Sequence, residues 1–108
     1  MHTEPDSERI RVEIDPDLED LVPTFLENRW ADVGMIRQAL ERGDYRTIHR
    51  LGHNIRGDSG ALGFDGLSAV GRGLEDAALE QDEATINTEA LRLANYLERV
   101  DIVPAERA

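Results

Sequence analysis

Cysteine is absent from this chain, which excludes disulfides and thiolate metal sites. A chain without cysteine is indifferent to redox compartment, so this absence assigns none. No apolar run approaches the roughly 20 residues of a membrane-spanning helix. The first residues are polar and acidic, unlike a secretory signal, so the reading is a soluble cytoplasmic protein. Basic side chains are in short supply, 12 against 23 acidic, for a formal net charge of −11. Such a surface repels the phosphate backbone of nucleic acids and the anionic face of a membrane, so neither is expected as a partner. The ordinary role of this acidity is solubility. There is no G-x-x-x-x-G-K-[ST] loop, and nothing else points to ATP. No serine, histidine and acid can be assembled into a nucleophilic triad, because Ser59 falls on a core face.

The 108 residues suffice for one domain, and 40% hydrophobic content is enough to fold it. Ile10, Val12 and Ile14 alternate with charged residues, an extended pattern that reads as a strap. Asp15-Pro16 reads as a helix start. Leu18, Leu21, Val22, Phe25, Leu26, Val33, Ile36 and Leu40 follow at helical spacing, and Pro23 divides them into a short helix and a longer one. Gly43-Asp44 stops that helix and caps the next, which runs from about 45 to 62 and ends at Gly63. Asp65 is expected to cap a third helix to about 79, and Asp82 a fourth carrying Ile86, Ala90, Leu93, Leu97 and Val100. Pro104 lies beyond it. Short links make successive helices antiparallel. The fold class is therefore all-α, an antiparallel up-and-down four-helix bundle with a short extra N-terminal helix or extended strap. The divisions are 1–14 as an extension, 15–103 as the bundle and 104–108 as a tail.

Chemistry concentrates on the helix over 45–62. At about 100° per residue, Ile48, Leu51, Gly52, Ile55, Ser59 and Leu62 share one arc, which is the core face. His53 lies about 140° from the centre of that arc and faces water. Gly57 and Gly60 follow on the same outward side. Each glycine costs about 1 kcal/mol relative to alanine inside a helix, with no evident packing return here. Bare backbone beside an imidazole gives a second protein access to it. Arg56 is near that side, and its guanidinium could hold phosphate oxygens. Geometry alone leaves a plainer reading open: an exposed histidine is usually just polar surface, and helix glycines can serve close packing.

The run His53-Asn54-Ile55-Arg56-Gly57-Asp58-Ser59-Gly60-Ala61-Leu62-Gly63-Phe64 resembles the signature of histidine-containing phosphotransfer (HPt) domains, H-x-[hydrophobic]-[K/R]-G-x-[S/A]-x-x-[L/I/V]-G. Leu67 and Leu74-Glu75 fit the helix that follows, and the resemblance covers about residues 16 to 100. It implies a four-helix bundle and a place in a two-component phosphorelay. It makes His53 the phosphorylated residue, Arg56 the basic group beside it, and Glu75 an acceptor for the imidazole from the neighbouring helix. An acceptor on Nδ1–H fixes the tautomer and leaves the Nε2 lone pair outward. A solvated Glu75 is the alternative. Arg72, one turn earlier, would share the site or pair with Glu75. Asp58 replaces the usual small residue but points away from His53, so little effect on chemistry is expected.

By the same resemblance the partners are a receiver domain of a response regulator and a histidine kinase or hybrid kinase, with phosphoryl passing between His53 and a receiver aspartate. The chain would hold no cofactor, and Mg²⁺ would belong to the partner's active site. It would be a phosphotransfer intermediate without kinase activity of its own. A monomer is expected, since one chain supplies all four helices. The alternative is a docking module that binds a receiver or kinase without carrying phosphate. His49, one turn before His53, is read as a rim residue of the docking surface and the rival acceptor. The two histidines could share a metal, but the third, His2, sits far off in sequence, and no metal is expected. Docking is expected to be apolar at its centre, with Phe25 or Leu26 contributing. Trp30 is read as a packing residue.

Overall fold

A computed structural model describes residues 8–105; His2 lies outside them. The order is a strand β1 (Ile10–Ile14), a 3-10 helix (Pro16–Leu21), four α-helices α1 (Val22–Glu41), α2 (Tyr45–Leu62), α3 (Asp65–Leu79) and α4 (Glu83–Arg99), and a strand β2 (Val100–Pro104). The helices form the expected bundle, and the links of two or three residues between them force successive helices to run antiparallel.

Local chemistry explains most boundaries. The Asp15 side chain accepts from the Asp17 amide and opens the 3-10 turn. Pro23 sits in the first turn of α1, where its missing N–H costs nothing, so the apolar stretch divides as its sequence predicts. Asp44 and Asp82 cap α2 and α4, each accepting from the amide and the hydroxyl of a threonine three residues on. Asp65 does not cap α3. Phe64 holds the cap position with no side-chain bond, and Asp65 is the first helical residue, where its charge favours the helix dipole. Gly63 closes α2 with φ of 92°, a conformation that favours glycine.

The cap hydrogen bonds hold the Asp44 and Asp82 carboxyls below the usual range, those of the threonine hydroxyls most strongly. A carboxylate with a lowered folded value adds stability above its ordinary pKa and loses it as acid protonates it. Asp32 is opposite in sign: burial pushes it up against the pull of Arg29, so its contribution is present in acid and fades as pH rises. Removing both caps, Asp44→Ala with Asp82→Ala, is expected to flatten the loss of stability between about pH 5 and 2. Urea midpoints across that range check it, and an unchanged slope would refute it.

The core is aliphatic around one aromatic pair. Ile48, Ile55, Leu67, Leu74, Ile86 and Leu93 are fully buried. Phe25 stacks on fully buried Phe64 with ring centroids 4.8 Å apart. Trp30 departs from expectation: it is 43% exposed and lies outside this core. Its position on α1 falls one turn past Leu26 and off the buried stripe of Phe25, Val33 and Ile36.

The two strands pair in parallel, Ile10 beside Val100 through Ile14 beside Pro104. Val100 therefore leaves the helical path that its apolar character had extended to it. A parallel pair needs a long crossover, and the whole bundle supplies it. Arg9 donates to the carbonyls of Glu98 and Val100 at 3.0 and 2.9 Å, and Arg99 donates to that of Glu8 at 2.7 Å. Val12 and Ile14 enter the core, Ile14 completely. Ile14→Ala is expected to lower the unfolding free energy by about 2–5 kcal/mol. A change near zero in denaturant melts would make the strap peripheral.

Candidate functional site

The cap at Asp44 and the turn at Gly63 fix the ends of α2, and its buried face of Ile48, Leu51, Gly52, Ile55 and Ser59 fixes its rotation. His53 is thereby turned outward, its side chain 60% exposed. Across from it α3 presents Glu75, whose side chain is only 12% exposed. His53 Nδ1 lies 2.9 Å from Glu75 Oε2. An ionised carboxylate only accepts, so the proton of that bond sits on Nδ1. Arg56 Nη2 is 3.5 Å from the same nitrogen. Both would then be donors, so the shorter contact is the hydrogen bond and the longer one a juxtaposition.

Glu75 gathers more than one base. Its Oε1 lies 3.4 Å from Arg56 Nη1, held by charge without a well-aligned hydrogen bond. Its Oε2 is also 3.9 Å from His49 Nε2. The solvated reading of Glu75 thus gives way to a partly buried carboxylate beneath two imidazoles and a guanidinium. With Nδ1 protonated, a neutral His53 ring turns the Nε2 lone pair outward, and among the described residues nothing bonds to Nε2. Chemically, this is an exposed nucleophilic nitrogen with its tautomer fixed from behind and a cation alongside.

The remaining expected residues divide. Gly57 is exposed, and a Cβ there would meet nothing within 4 Å. Gly60 is exposed but less open, because a Cβ there would come 3.4 Å from Ser68 Oγ. His49 is half-buried at the rim. Arg72 is exposed and, among the described residues, does not pair with Glu75; Arg56 takes that place. Phe25 is buried in the core and Leu26 is partly buried, so Phe25 does not serve a docking surface. Asp58 points away from His53 and reaches α1, 3.5 Å from Arg29 Nη1. Arg29 is itself buried against Asp32, Nε to Oδ2 2.8 Å, with its guanidinium over the Phe25 ring.

Sequence reasoning missed two features. Ser68 Oγ donates to the Arg56 carbonyl at 2.9 Å, tying α3 to α2 beside the site. Gly52 and Gly71 form a backbone contact between the same helices, described below. The signal available was their spacing: Gly52 adjoins His53, and Gly71 lies one turn before Glu75.

Grooves of about 510, 420 and 320 Å³ lie beneath β1, between α1 and the end of α2, and between α1 and α4. His53 lines none of them. The imidazole stands on an open surface, which suits a macromolecular reactant better than an enclosed small one. The profile of the Hpt domain family matches residues 20–102. The chain belongs to the Hpt domain family. No curated protein and no solved structure matches it. Hpt domains mediate histidine phosphotransfer in phosphorelays, and they interact there with receiver domains and kinases. Among the described residues no helix is long and apolar enough to cross a membrane.

Proposed function

We propose that this Hpt domain is a phosphocarrier that accepts a phosphoryl group on Nε2 of His53 and exchanges it with an aspartate of a receiver domain. The observation that carries this is the 2.9 Å bond from Nδ1 to Glu75, which leaves the other ring nitrogen at an exposed position and, among the described residues, without a bonded partner. In transfer from an aspartyl phosphate, the Nε2 lone pair forms the N–P bond as the P–O bond breaks, and the aspartate carboxylate leaves. The Nδ1 proton stays in place. The ring becomes cationic, and the Glu75 carboxylate behind it offsets that charge. Because the transition state is loose, positioning and charge stabilisation do most of the work. Arg56, with its side chain 42% exposed, is within reach of phosphoryl oxygens on the carrier side.

The charge of α2 supports an anionic reactant. In a strongly acidic chain this helix carries Arg46, Arg50 and Arg56 against Asp58 alone. A receiver's phosphorylated carboxylate cluster is complementary to such a face, and Mg²⁺ belongs with those partner carboxylates. Gly57 leaves the backbone bare on the approach. The carrier acts as a cytoplasmic monomer, with a histidine kinase or hybrid kinase upstream. It has no kinase reaction of its own, since phosphoryl enters only from a donor.

The test is incubation with a receiver domain phosphorylated on aspartate. Label is expected on the carrier as acid-labile, base-stable phosphohistidine. Stable binding with no label at any time would favour a docking module instead.

A further inference from the structure

Helices α2 and α3 meet through backbone at one place. A Cβ at Gly52 would stand 2.7 Å from the Glu75 amide nitrogen and 2.7 Å from the Gly71 carbonyl oxygen. A Cβ at Gly71 would collide with the Arg56 amide nitrogen and lie 2.7 Å from the Gly52 carbonyl oxygen. These are main-chain atoms and cannot swing aside. Two of them belong to Glu75 and Arg56, and Gly52 adjoins His53. All three residues of the site are therefore carried on the two segments that these glycines bring together.

We propose that the Gly52–Gly71 contact is the positioning element of the phosphoacceptor: it sets the helix separation at which Glu75 reaches Nδ1 and so fixes the reactive tautomer of His53. The proposal rests on reading His53 as the acceptor. Magnitudes favour it. Relieving a 2.7 Å contact to the 3.4 Å at which ordinary van der Waals contact begins moves the helices apart by about 0.7 Å. The His53–Glu75 bond at 2.9 Å is lost once stretched by about 0.6 Å. One methyl group at either glycine therefore exceeds the tolerance of the bond. The Ser68–Arg56 bond pins the helices on the other side of the contact, so displacement falls towards Glu75.

The experiment pairs two readouts on the full chain. Ring-nitrogen NMR reports the tautomer of His53, and label transfer from a phosphorylated receiver reports the rate. Gly71→Ala is expected to lose the single Nδ1–H tautomer and to slow transfer about 10–100-fold, by analogy with the loss of a carboxylate that orients a metal-bound histidine. Gly34→Ala, where a Cβ meets nothing within 4 Å, should match the parent in both. Because Gly71 acts through Glu75, Gly71→Ala combined with Glu75→Ala should be no slower than Glu75→Ala alone. Parental tautomer and rate in Gly71→Ala, or losses that multiply in the double variant, would overturn the proposal. Should Gly71→Ala not fold, Glu75→Asp withdraws the carboxylate by one methylene and asks the same question; retention of the parental tautomer would count against positioning. Absence of label on the parent chain would instead remove the carrier reading, while the ring spectra still decide what sets the tautomer.

Discussion

His53→Gln is expected to remove all label when the protein is incubated with a phosphorylated receiver. The expectation is total because glutamine keeps polarity and some reach but has no ring nitrogen with an outward lone pair. The fold should survive, since the side chain is 60% exposed and its hydrogen bond to Glu75 lies at the surface of the bundle. His49→Gln is the informative partner. His49 Nε2 is 3.9 Å from the same Glu75 oxygen, so its loss should alter the rate modestly and leave the label in place. Undiminished label on His53→Gln, with loss on His49→Gln, would move the acceptor one turn along α2.

Glu75→Ala should slow transfer by about 10–100-fold without changing where the label sits. Two consequences combine. The imidazole loses the acceptor that orients it, so both tautomers populate and only one presents the Nε2 lone pair outward. The cationic phosphoimidazole also loses a nearby carboxylate. Glu75→Gln separates them, because an amide oxygen can still accept from Nδ1–H but carries no charge. If orientation dominates, Glu75→Gln should recover most of the rate; if charge dominates, it should resemble Glu75→Ala. A parental rate in Glu75→Ala, measured in single-turnover transfer, would leave the 2.9 Å bond without a role in the chemistry.

The bundle was legible because helix periodicity, aspartate caps and glycine stops agree with one another along the chain. Asp44, Gly63 and Asp82 mark boundaries whose chemistry is local, and local chemistry can be read residue by residue. Asp65 was misplaced by one position, since an aspartate serves nearly as well in the first turn as at the cap. The second strand was not legible: Val100 continues the apolar spacing of α4, and only pairing with β1 draws it out of the helix. That pairing joins residues ninety positions apart. At the site, the outward turn of His53 followed from the core arc of its own helix. The nearness of Glu75 depends on how two helices approach, which no single helix encodes. Gly52 and Gly71 carry that information, but a glycine on a helix wheel does not announce what it touches. The buried Arg29–Asp32 pair was invisible for a related reason: charged residues on α1 read as solvated until Asp58 and Phe25 are seen beside them.

The ribbon of β1 and β2 also has a mechanical consequence. Its strands run the same way, so the chain enters beside Ile10 and leaves beyond Pro104, at opposite ends of the ladder. Tension between neighbours attached before and after the domain would slide one strand along the other. Such shear loads every rung of the ladder together, with the clamps of Arg9 and Arg99 sharing the strain, whereas peeling would break them one at a time.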